Sequence, residues 1–192
     1  MAGISSKRLK YFITLAAALL VILLLINNAT SVLRFAYPLK YKEYVYKYSI
    51  EFKVDPYLVF SIIKAESSFD PNATSSRNAR GLMQISESTG NWGAKMLKVE
   101  SYTFDKLYDP ELNIKIGCWY LNNLMKEFGD DVELVVTAYN GGSGNVNEWL
   151  RNKTYSKTGS KLDIIPFKET DQYLKRVKNN YEVYKRLYSK YK

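Results

Sequence analysis

A mainly α-helical domain behind an N-terminal transmembrane helix is the fold class this sequence predicts. Three observations carry that expectation. Apolar residues recur at helical spacing, from Val59, Ile62 and Ile63 to Tyr173, Val177, Tyr181, Tyr184 and Tyr188. Asp-Pro pairs at 55–56 and 109–110 supply the capping side chain and the first-turn proline that open a helix. Tyr11 to Ile26 is uncharged and rich in Leu, Ile, Val and Ala, and no stretch alternates as a half-buried strand would.

The apolar run comes first. Lys7, Arg8 and Lys10 precede it and Asn27–Asn28 follow it. It falls a little short of the roughly 20 residues that span a bilayer, and Ala29, Val32 and Leu33 extend it. No small-x-small cleavage site is evident after it, which favours an uncleaved anchor over a removed signal peptide. Residues 1–10 then read as a cytoplasmic tail and 11–33 as a single-pass signal anchor of the cell membrane. Arg34, Lys40 and Lys42 on the far side weaken the charge bias.

Beyond Pro38, the residues Tyr41, Tyr44, Val45, Tyr48 and Phe52 mark one helix. Asp55-Pro56 starts the next, and Asp70-Pro71 ends it. A polar loop covers 72–79, Gly81-Leu82-Met83-Gln84 follows, and Ser86 to Leu97 reads as helix. Asp109-Pro110 opens a helix to about Phe128. Asp130 or Asp131 caps another that stops at Gly141-Gly142. Asn145 to Leu150 forms a short helix, 151–166 a polar basic loop, and Glu169 to Lys190 the last helix. This makes about seven helices after the anchor, with short strands conceivable near 72–81 and 152–166. The tyrosines of the last helix are expected to pack partly on the 41–52 helix.

Composition narrows the chemistry. The 192 residues contain no histidine, which excludes Ser-His-Asp and Cys-His nucleophile systems and imidazole metal ligands. The single cysteine, Cys118, sits in an apolar run and reads as a buried small hydrophobe. A net charge of +9 favours anionic neighbours such as headgroups or acidic wall polymers; no nucleic-acid motif accompanies it.

Within the helix from Pro56, Val59, Ile62, Ile63 and Glu66 share one face. The last member of that apolar stripe is a carboxylic acid. Burial favours its protonated form, and a protonated glutamate at a helix end facing a cavity is what a general acid requires. The alternative is a glutamate turned outward and solvated.

Five motifs stand in order: Glu66-Ser67, Gly81–Gln84, Asp109-Pro110-Glu111-Leu112-Asn113-Ile114, Ala138-Tyr139-Asn140-Gly141-Gly142, and Ile165 to Val177. Together they resemble the catalytic domain of soluble-type lytic transglycosylases, which is lysozyme-like in fold. The resemblance covers roughly residues 45–180 and makes 38–192 the catalytic domain. It implies peptidoglycan as substrate, cleavage between N-acetylmuramic acid and N-acetylglucosamine, and a 1,6-anhydro product. Glu66 takes the place of the family's one catalytic acid. Ser67, Met83, Gln84, Tyr139, Asn140, Glu169 and Tyr173 fall on groove positions, Glu169 orienting groups rather than attacking carbon. No metal or organic cofactor is implied. The partners implied are glycan strands and, through the anchor, the membrane, with the catalytic domain outside the cytoplasm. Asn78, Gly141 and Asp171 depart from the common pattern, where glycine, alanine and arginine are frequent. A hydrolase of lysozyme type and a wall-binding scaffold with little turnover are the alternatives.

Overall fold

A computed structural model describes residues 6–189, apart from the side chains of 6–9 and 24–30. The chain divides into two units, Met1–Pro38 and Leu39–Lys192. The first holds helix α1, Ser6–Ala36. Its described apolar side chains from Tyr11 to Leu23 are largely exposed. The spanning helix expected from the sequence is not supported: among the described residues, no helix is long and apolar enough to cross a membrane. The uncharged run Tyr11–Ile26 falls short of the roughly 20 residues a bilayer demands. The predicted tail, residues 1–10, lies largely outside the described residues.

The second unit is built, among the described residues, from seven α-helices and a 3-10 turn. These are α2 (Lys42–Phe52), α3 (Pro56–Ser67), α4 (Glu87–Met96), the 3-10 turn Phe104–Tyr108, α5 (Pro110–Phe128), α6 (Val132–Gly141), α7 (Ser143–Arg151) and α8 (Lys168–Tyr188). The predicted caps form. Asp55 accepts from the Tyr57 N–H, Asp109 from the Leu112 N–H, and Asp131 from Glu133 and Leu134. Ser86 caps α4 through the Thr89 N–H. The loop before α4 carries isolated antiparallel bridges, Thr74 with Arg80 and Arg80 with Ile85.

Helix α3 is the centre of the core. Leu58, Val59, Phe60, Ile62 and Ile63 are all buried. Helix α8 lies along it, and the Tyr184 ring stacks on Phe60 at 5.6 Å. The Asn180 amide donates to the Ser61 carbonyl (3.3 Å), and the Tyr181 hydroxyl donates to Asp55 (2.7 Å). The principal neighbours of α8 are therefore α3 and α6, not the 41–52 helix, which packs chiefly on α5. Tyr173 and Tyr184 are fully buried rings, and the Phe60 ring of α3 covers Tyr184.

Helix α5 backs the whole arrangement, touching α2, α4 and α6. Its Gly117 lets the loop at Met83 approach closely. A Cβ there would lie 2.2 Å from the Met83 sulfur.

Candidate active site

The C-terminal turn of α3 delivers Glu66 to the wall of a cleft of about 560 Å3. The helix ends one residue later because Ser68 turns left-handed (φ 51°). Residues 59, 62 and 63 of the same stripe point into the core, so the register that buries them also brings the carboxyl close to apolar surroundings. Burial raises the Glu66 carboxyl from 4.5 to about 7. The Tyr173 hydroxyl and the Arg176 charge pull it down, and the Glu169 charge raises it, but burial dominates.

The opposite wall is the loop 75–86, and it is gripped from three sides. Ser67 donates to the Leu82 carbonyl at 2.8 Å. Tyr139, near the end of α6, donates to the Met83 carbonyl at 2.8 Å. Asn113 of α5, fully buried, accepts from the Met83 N–H (2.8 Å) and donates to the carbonyls of Arg80 (2.9 Å) and Leu107 (2.8 Å). Gly81 permits this clamp, since it adopts φ 73° and a Cβ there would lie 2.2 Å from the Leu107 oxygen. Gln84 also sits at positive φ (47°), and its amide ties back to Ala73 and Gly81. The acid therefore faces a backbone fixed at four points.

Of the residues singled out from sequence, Glu66, Gln84, Tyr139, Asn140 and Glu169 line the cleft together. Asn140 is held by the Thr170 hydroxyl at 2.8 Å. Glu169, exposed at the start of α8, pairs with Arg77 of the loop at 3.3 Å. The remaining three stand behind the wall. Ser67 bonds to backbone, Met83 is fully buried against Gly117, and Tyr173 is 1% exposed. Tyr173 lies close to Glu66 and favours its ionised form, yet its hydroxyl meets no group at hydrogen-bond geometry among the described residues. Burial and the neighbouring acid push the phenols of Tyr139 and Tyr173 well up, so both stay protonated around neutrality.

Sequence reasoning left Arg77, Ser88, Thr89 and Tyr120 out of the cleft and gave Asn113 no role. Asn113 stood in the Asp109–Ile114 motif, a polar residue beside the core-forming Ile114, Ile116 and Gly117, with no role assigned to it. The cysteine is buried and free, and burial raises its thiol well above the usual range, so it takes no part in the cleft.

Known proteins resemble this chain in sequence and fold. Residues 43–162 match the family model described as the transglycosylase SLT domain. The soluble lytic murein transglycosylase of Escherichia coli (strain K12) is 34% identical over 143 residues, 73% of this chain and 22% of that protein. A membrane-bound lytic murein transglycosylase C from Edwardsiella ictaluri is 33% identical over 180 residues, 77% of this chain and 47% of that one. The chain thus spans from about a fifth to about half of these relatives. The crystal structure of the 70 kDa soluble lytic transglycosylase of Escherichia coli superposes with a TM-score of 0.72 at 32% identity, over 80% of this chain and 25% of that one. A complex of a 70 kDa soluble lytic transglycosylase with bulgecin A matches equally well. Matched over most of its second unit in sequence and in three dimensions, the chain belongs to the transglycosylase SLT domain family.

Proposed function

We propose that this protein is a peptidoglycan lytic transglycosylase. It cuts the β-1,4 bond between N-acetylmuramic acid and N-acetylglucosamine and leaves a 1,6-anhydro-muramyl end. The observation that carries the reading is Glu66, protonated up to about pH 7 by burial at the wall of a cleft large enough for sugar rings. The family membership and the lytic murein transglycosylase relatives support it.

The chemistry follows from one acid. Glu66 gives its proton to the glycosidic oxygen, the bond to C1 breaks, and positive charge develops on the muramyl ring. The carboxylate left behind takes the proton of the muramyl C6 hydroxyl, whose oxygen closes on C1. Glu66 ends protonated, as it began, and no water is consumed. A water-attacking or double-displacement glycosidase needs a second carboxylate about 5–10 Å from the first, acting as base or nucleophile. The second carboxylate in this cleft, Glu169, is exposed and paired with Arg77, which suits substrate orientation better than attack. Tyr139 already donates its proton to Met83, so it offers the substrate its oxygen lone pairs: an acceptor for the muramyl N-acetyl N–H, or electron density beside the developing cation.

We place the protein outside the cytoplasm, facing the wall, with α1 as its membrane attachment. The uncharged run Tyr11–Ile26 supports this, and the absence of a crossing helix among the described residues stands against it. Fractionation of cells, with alkaline washing of the membranes, decides: retention supports an anchor, release refutes it.

The test of the reaction is digestion of purified peptidoglycan followed by mass spectrometry of the fragments. Anhydro-muramyl ends are expected. Reducing ends in their place would make it a hydrolase of lysozyme type, and binding without soluble products would make it a scaffold.

A further inference from the structure

We infer that Trp92, braced by Trp119 and Tyr120, is the floor of a further sugar subsite that takes one N-acetylhexosamine ring of the strand lying in the cleft. This rests on the glycan-cleaving reading and extends it to a residue outside the described cleft.

Trp119 and Trp149 are buried, whereas Trp92 is 47% exposed. An exposed indole loses the burial that usually stabilises it. Trp92 is nevertheless held firmly. Its ring meets Trp119 edge-on at 4.6 Å and Tyr120 edge-on at 6.3 Å. The next residue, Gly93, brings α4 so close to α5 that a Cβ there would lie 2.8 Å from Ile116. The indole is therefore a fixed apolar plane left open to solvent.

Trp92 lines a second cavity of about 190 Å3. It is below the roughly 300–1,000 Å3 of sites that enclose a whole small-molecule ligand, so it suits a single ring. Ser88, Thr89 and Tyr120 line both this cavity and the cleft of Glu66, so one polymer can occupy the two together. Polar groups ring the aromatic floor. Asn123 and Glu127 are fixed from behind, Asn123 by donating to the Trp119 carbonyl and Glu127 by accepting from Asn147. Each retains a further oxygen able to accept from a sugar hydroxyl or acetamido N–H. An apolar plane inside a polar rim matches a pyranose, with its C–H face and its equatorial hydroxyls.

The full chain carrying Glu66→Gln is titrated with β-1,4-linked N-acetylglucosamine oligomers of two to eight sugars, read by tryptophan fluorescence and calorimetry. Affinity is expected to step up at the length that first reaches the indole. Adding Trp92→Ala lowers affinity for the longer oligomers about tenfold and for shorter ones less than twofold, while Trp92→Phe keeps most of the step. Equal losses at every length, or no loss at any length, overturn the subsite while leaving the glycan reading intact. If no oligomer binds and wild-type protein releases nothing from peptidoglycan, the underlying reading falls with it. Matching melting temperatures of the two Trp92 variants exclude misfolding as the cause.

Discussion

At the scale of single residues, the proton on Glu66 bears on stability and, in the reaction proposed above, on activity. A general acid must be protonated, so kcat/KM on peptidoglycan is expected to fall as pH rises through about 7. Glu66→Gln keeps the shape and removes the proton, and should lower the rate by on the order of 10²–10⁴. Wild-type rates in that variant would remove Glu66 from the mechanism. The same burial also has a consequence for stability, in the same direction with pH. The unfolded chain ionises this carboxyl from about 4.5, whereas the folded chain keeps it neutral until about 7. Between those values the unfolded state binds fewer protons, so stability falls as pH rises. The full rise corresponds to roughly 3 kcal/mol, and partial solvation of the cleft reduces it to on the order of 1–3 kcal/mol. Glutamine never ionises. The melting-temperature advantage of Glu66→Gln over wild type should therefore be small at pH 5 and larger at pH 8; a constant gap would mean that the acid is not desolvated. Glu66 was legible in the sequence because its evidence is local: four residues at helical spacing, the last of them charged. Depth was not legible. The family resemblance assigns Ser67, Met83 and Tyr173 to the right neighbourhood, but whether each faces the cavity or stands behind its wall depends on packing from distant parts of the chain.

At the scale of elements, the cleft depends on a loop that carries little regular structure of its own. Residues 80–84 keep their course because Asn113, Ser67 and Tyr139 hold their backbone from three different helices. Asn113, fully buried, makes two of these bonds and a third to the Leu107 carbonyl, so truncating it leaves the Met83 N–H without its acceptor and removes a donor from the Arg80 and Leu107 carbonyls. Asn113→Ala is expected to destabilise by roughly 2–4 kcal/mol in chemical denaturation. It should also lower kcat, although Asn113 does not line the cleft. Asn113→Asp keeps the acceptor toward Met83 and replaces the donor with a buried charge, so it should do no better. A variant that melts and turns over like wild type would show the loop to be held by other means. This clamp was hidden from the sequence because its partners lie about thirty residues away, and helical spacing reports only neighbours within a turn or two. The helices themselves were legible for the opposite reason: Asp55, Ser86, Asp109 and Asp131 cap within three residues of where they stand. The partner of α8 was not, since a tyrosine stripe reveals which face is buried and not what covers it. Phe60 supplies that cover through its stacked contact with Tyr184.

At the scale of the whole molecule, every residue of the cleft and of the Trp92 cavity belongs to the second unit, Leu39–Lys192. That unit contains its own core, centred on α3, and α3, α4, α5 and α6 open with caps supplied by Asp55, Ser86, Asp109 and Asp131 of the same unit. It is also near the size at which a single domain buries enough surface to fold alone. The length of α1 and its exposed apolar side chains instead suit a role in location. A chain beginning at Leu39 is therefore expected to melt cooperatively and to release the same fragments from purified, solubilised peptidoglycan as the full chain. Its kcat/KM should agree within about twofold. With α1 as the attachment proposed above, it should be slower on intact cells or wall–membrane preparations, because attachment would raise the local concentration of protein at its polymer. The two assays separate the units. Loss of folding or of soluble-substrate activity would mean that α1 completes the catalytic unit. Equal rates on both substrates would mean that α1 has no bearing on where the enzyme works.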